Sequence, residues 1–217
     1  MRLKYIIIGT IILFTCVFIF MIFAISGGNS IELTNIPLLG DEAIGPVINK
    51  NDPVIGAENP SVTIFSFGDF ANSTSTTLAL SLNDMLKKYP NDIAIIWKDY
   101  PNSSLKPEAM PSAIAARCAQ KQDEFWAFHD YLIKNSDILS KDLYLEIAKE
   151  LNLWQWSFNR CISKEKTLSW VEDDVAEAIE LSIPTSPTIF INGARYSGYI
   201  SKQELEQLII SAKQNYE

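Results

Sequence analysis

No stripe of lysine and arginine runs through this chain: its 18 basic residues are scattered among 26 acidic ones, for a formal charge of −8. Binding a phosphate backbone needs gathered positive charge, so nucleic acid is not an expected partner. Histidine occurs once, at His129, and no grouping of Asp, Glu or Cys around it in sequence has metal-ligand spacing, so no metal or other cofactor is expected. Internal repeats and low-complexity tracts are also absent. What remains is a 217-residue chain that is 47% hydrophobic, enough for one well-buried domain and an appendage but not for two ordinary domains.

The appendage is legible at the N-terminus. Arg2 and Lys4 precede residues 5–25, an uncharged apolar run. At ~1.5 Å per residue in a helix, that run spans roughly 30 Å of hydrocarbon. The segment reads as a transmembrane anchor; a cleaved signal peptide, the competing reading, has an apolar core of only ~7 to 15 residues. Positive charge on the N-terminal flank, with Glu32, Asp41 and Glu42 on the other side, leaves residues 1–4 in the cytoplasm and the C-terminal domain outside the cell membrane. Residues 26–50 are crowded with Gly, Pro and Asn and form a linker. The domain covers 51–217.

Cysteine is scarce: Cys16 lies in the apolar run, and Cys118 and Cys161 lie in the domain. Outside the membrane, two cysteines in one domain favour a disulfide over two free thiols, although sequence does not establish that they meet. A bridge between them would close a loop worth roughly 4 kcal/mol on the chain-entropy model.

The apolar run 62–67 predicts a buried strand, and Leu78, Leu82, Met85, Leu86 and Tyr89 follow at helical spacing. Residues 92–99 predict a second strand, buried on both faces. Helical patterns at 113–121, 124–134, 141–151 and 155–162 then form an insert, at about 105–163, followed by a helix over 165–181. Residues 187–191 predict a strand that turns at Asn192-Gly193 into an antiparallel partner over 194–197. Ser201 caps a closing helix.

This order, with Asp69-Phe70, Lys98-Asp99-Tyr100-Pro101, Ala115-Ala116-Arg117-Cys118, Phe125-Trp126-Ala127-Phe128-His129-Asp130 and the segment Pro184 to Gly193, resembles the DsbA-like branch of the thioredoxin superfamily over about residues 50 to 215. The resemblance implies an α/β thioredoxin fold with an inserted helical subdomain. It implies a cis bond before Pro187, with Ser186 and Pro187 as peptide-contact residues, and a structural bridge between Cys118 and Cys161. The departure is at the redox site. Where the family has Cys-x-x-Cys, this chain reads Asn72-Ser73-Thr74-Ser75. An amide and hydroxyls cannot attack or resolve a disulfide, so dithiol-disulfide exchange is not expected.

These polar residues fit helix capping. The expectation is a non-catalytic polypeptide-binding or accessory module of the cell envelope. The alternative is an enzyme of the same fold, either one in disulfide metabolism or a serine-type glutathione-dependent transferase resembling the kappa class, with Ser73 or Ser75 at the thiolate. His129, and Trp154, Trp156 and Phe158, read as packing residues, and Glu172-Asp173-Asp174 as a solvated helix face. An exposed tryptophan pair would instead mark a partner surface. Asn72 and Asn102 each begin an Asn-x-Ser/Thr acceptor pattern.

Overall fold

A computed structural model describes residues 45–215. The expected anchor (5–25) and most of the linker lie outside the described residues, among which no helix is long and apolar enough to cross a membrane. The chain forms β1 (Val54–Gly56), β2 (Val62–Gly68), α1 (Ser73–Lys88) and β3 (Ile93–Asp99), then α2 (Ala109–Gln120), α3 (Phe125–Lys134), a 3-10 turn (Ser136–Ile138), α4 (Lys141–Glu150) and α5 (Gln155–Ser163). The remainder is α6 (Leu168–Glu180), β4 (Thr188–Ile191), β5 (Ala194–Ser197) and α7 (Lys202–Gln214).

The sheet order is β1-β3-β2-β4-β5. β2 and β3 are parallel, and the other pairs are antiparallel. Alternation along β2 sorts its side chains between two layers. Val62 and Ile64 pack with Leu78, Leu82 and Met85 of α1 and Leu205 and Ile209 of α7. Phe67 points the other way, against Ala178 of α6 and Phe190 of β4. The insert α2 to α5 carries its own core, including Phe128, Leu132, Ile147 and Phe158, which is continuous with Phe70 and Trp97 beside the sheet. At the β4–β5 turn Asn192 and Gly193 both have positive φ, 46° and 87°, the conformation that a two-residue hairpin matched to strand twist requires.

One strand goes beyond the sequence pattern and one sequence reading needs correction. β1, a short strand between Pro53 and Pro60, pairs antiparallel with β3, with Val54, Ile55 and Gly56 opposite Ile96, Ile95 and Ala94. The acidic run on α6 is not uniformly solvated. Asp174 is 2% exposed and pairs with Arg117 and Lys98.

Lys98 of β3 is fully buried, with Asp52 at 2.7 Å and Glu177 at 2.6 Å. Arg117 of α2 holds Asp99 at 2.6 Å and donates to the Asn51 carbonyl at 2.6 Å. The segment before β1 is thereby clipped to the domain, with the Val47 N–H also donating to Glu177. Two cations here face four carboxylates, Asp52, Asp99, Asp174 and Glu177. Burial, opposed by Arg117 and reinforced by the like charge of Asp99, pushes the Asp174 carboxyl up to about 7.

Between that value and the ordinary carboxylate range, the folded chain holds a proton that the unfolded chain releases. Asp174 therefore makes the fold less stable as pH rises from about 4 to about 7, with no further change above. In urea unfolding, lowering the pH from 8 to 5 should stabilise the native chain by about 2 kcal/mol more than Asp174→Asn. Equal pH dependence in the two proteins would show that Asp174 is ionised throughout.

Candidate functional site

Strand register assembles the site. β2 ends at Gly68, beside Asp99 at the end of β3, and antiparallel β4 begins with Thr188 opposite Phe67. The residues after Gly68 must therefore meet those before Thr188. This brings Asp69 to Asn72 and the N-terminus of α1 against Thr185, Ser186 and Pro187, with a cis Ser186-Pro187 bond.

Asn72 lies at the centre. Its Oδ1 accepts from the backbone N–H groups of Thr74 and Ser75 at 2.9 and 3.2 Å, capping α1, while its Nδ2 donates to the Ser186 carbonyl at 3.0 Å. A carboxamide can do both because it carries an acceptor and donors on one planar group. The hydroxyls of Thr76 and Thr77 turn back to the Ser73 carbonyl. Ser73 is exposed, whereas Ser75 is 2% exposed and its Oγ has no hydrogen-bond partner. The four positions thus divide into a cap (Asn72), an exposed hydroxyl (Ser73), a half-buried Thr74 and a sealed hydroxyl (Ser75).

Beneath this turn the packing is aromatic. Phe70 stacks on Trp97 at 4.9 Å between ring centres, and His129 meets Trp97 edge-on at 4.8 Å. Gly68 admits the Trp97 ring: a Cβ there would lie 2.3 Å from it. His129 is 1% exposed, with Nδ1 against Asp130. It is a packed residue, closed off from the surface. Asp69 accepts from the N–H groups of Ala71 and Asn102, at 2.8 and 3.0 Å, and so ties the loop after β2 to the loop after β3. Burial, aided by the negative charge of Asp99, pushes its carboxyl above the ordinary range against the pull of those N–H donors.

A groove of about 460 Å³ opens over the turn, lined by Asp69, Asn72, Ser73, Lys106, Glu108, Asp137, Leu139, Thr185 and Ser186 among others. Leu105 and Ile138, 75% and 63% exposed, stand at its loop and turn segments. Its chemistry is hydrogen bonding plus apolar contact, with carboxylates outnumbering the single lysine. Ser186 and Pro187 adjoin this groove, but the Ser186 carbonyl is already engaged by Asn72, a contact sequence reasoning missed because the two residues lie 114 positions apart.

Cys118 of α2 and Cys161 of α5 are joined in a disulfide with Cα atoms 5.8 Å apart. Both are buried within the insert and neither lines the groove. Among the described residues, no group of three His, Cys, Asp or Glu is placed to hold a metal ion. Phe158 is buried, but Trp154 and Trp156 are 68% and 62% exposed, so the packing reading fails for this pair. Both lie at the start of α5, where the helix turns its first residues away from the insert core.

The Na(+)/H(+) antiporter NhaA 3 of Salinispora tropica is 28% identical over 167 residues, 77% of this chain and 26% of that protein. NhaA 1 of Mycolicibacterium gilvum is 24% identical over 162 residues, 74% of this chain and again 26% of that protein. The chain therefore spans about a quarter of the length of these curated relatives. Among solved structures, oxidised BdbD from Bacillus subtilis superposes with a TM-score of 0.70 at 22% identity, covering 78% of this chain and 96% of that one. Wolbachia pipientis alpha-DsbA1 gives 0.69 at 19% identity, covering 81% and 96%. The family model described as Thioredoxin matches residues 48–210. That match covers well over half of the sequence: the chain belongs to the thioredoxin family, and its fold is the DsbA-like one with a helical insert.

Proposed function

We propose that this protein is a membrane-anchored, extracytoplasmic member of the family that binds polypeptide segments, or a subunit of an envelope complex, without exchanging disulfides. The observation that carries this reading is Asn72. The position where relatives of this fold are expected to carry the attacking sulfur holds a carboxamide, and its hydrogen bonds cap α1 and occupy the Ser186 carbonyl. The remaining cysteines of the domain are bound to each other away from the groove. The groove itself stays open, with polar walls and exposed Leu105 beside it, a combination suited to an extended chain.

Glutathione is a poorer fit. An anionic tripeptide would meet Asp69, Glu108 and Asp137 against one lysine, and the Ser75 hydroxyl is sealed from it. Ser73 is the one serine of the pair able to reach a ligand.

The full chain should show no insulin reduction above background and one titratable thiol, Cys16. Asn72→Cys/Ser75→Cys should raise insulin reduction by about tenfold or more, because a thiolate at the α1 N-terminus is stabilised by the helix. Thiol-independent binding of a fluorescent unfolded polypeptide, weakened by Ser73→Trp, should accompany inactivity of the native chain. Turnover by the native chain would overturn the non-redox reading, and saturable glutathione binding would favour the transferase.

A further inference from the structure

Two neighbouring tryptophans exposed on the surface of an acidic domain, their rings tilted by 37°, require a reason. Trp154 and Trp156 are 68% and 62% exposed, with ring centres 5.7 Å apart. Arg160 lies over Trp156 at 5.3 Å, and Lys121 lies over the half-buried Trp170 at 4.9 Å. Lys164 and Lys166, just beyond α5, are exposed as well. Cations resting on indole faces beside open rings suit a lipid headgroup layer, where an indole sits between apolar and wet phases and basic side chains meet anionic lipids.

The end of α2 connects this patch to the tether. Gln120 Nε2 donates to the Asn51 carbonyl of the clipped entry segment at 2.8 Å, Lys121 covers Trp170, and Gln122 Oε1 accepts from the backbone N–H of Trp154 at 2.7 Å. Three consecutive residues thus place the chain's entry into the domain beside the aromatic patch. Residues 26–44 separate the apolar run from the described chain. Even fully extended, at ~3.5 Å per residue, those residues reach no more than about 65 Å, which bounds how far an anchored domain can lie from the bilayer.

We propose that Trp154 and Trp156, with Arg160 and Lys121, dock the domain on the outer surface of the membrane that carries its anchor. This rests on the anchored reading above. None of these four residues lines the groove, which is built on other elements: α1, the loop after β3 and the 3-10 turn.

The full chain reconstituted into phosphatidylcholine vesicles containing phosphatidylglycerol provides a direct test, because all five tryptophans lie at position 97 or later and none is in residues 1–44. Lipids brominated near the headgroup should quench about two-fifths of the tryptophan emission, the share of two residues in five at the interface. In Trp154→Ser/Trp156→Ser that quenching should disappear, with flotation unchanged. Floating vesicles with unquenched emission would overturn docking and leave the anchor standing. Quenching that persists in the double variant would overturn the assigned face, and failure to float would remove the anchored reading and the docking together.

Discussion

Arg117→Met should destabilise the protein by about 3 to 5 kcal/mol at neutral pH, read from urea unfolding. Arg117 is 1% exposed, and its guanidinium serves Asp99, Asp174, the Asn51 carbonyl and Gln120. Methionine replaces the side-chain volume but leaves two buried carboxylates facing each other with Lys98 as the nearby counter-charge. The cost is therefore that of uncompensated burial rather than of one lost ion pair, and it should shrink as pH falls and Asp174 takes up a proton. Arg117→Lys should lie between, because an ammonium keeps the charge but cannot reach four acceptors with one planar fork. Faster hydrogen exchange in residues 47–53 should accompany the loss, since Arg117 and Gln120 hold that segment at Asn51. A change below about 1 kcal/mol would mean that this network is solvated enough to relax.

Cys118→Ala/Cys161→Ala should cost about 4 kcal/mol, the loop-closure entropy for residues 43 apart. For a chain of this size that corresponds to a fall in melting temperature of roughly 8 to 16 °C. The loss should concentrate in the insert. The bridge joins α2 to α5, which has only Phe158 and Cys161 as fully buried residues, so α5 depends on the crosslink more than the sheet does. Hydrogen exchange should rise in α5 before β2 and β3. Because both sulfurs are buried, a mild reductant should leave the bridge intact in the folded chain and open it only in denaturant. Ready reduction under native conditions would instead point to a reactive bridge and revive a redox role.

Much of the fold was readable as local pattern. Apolar runs at 62–67 and 92–99 yielded β2 and β3, Asn192-Gly193 marked the hairpin, and Ser201 capped α7, because period, turn conformation and capping are properties of a few adjacent residues. The missing sulfurs at positions 72 and 75 needed no structure at all. The partners of polar groups were another matter. Asp174 looks like a surface acid in its own helix, yet it meets Lys98 and Arg117 from β3 and α2. Asn72 reads as a cap from its neighbours, and its amide nitrogen bonds a carbonyl supplied by the loop that leads into the adjacent strand, β4. Trp154 and Trp156 carry the composition of a core and stand in solvent, since their place at the start of α5 decides their exposure. Hydrophobic spacing along the chain encodes which face of an element is buried; whether a given charge, amide or indole on it is paired, capped or exposed depends on atoms that arrive from elsewhere in the sequence once the elements have packed.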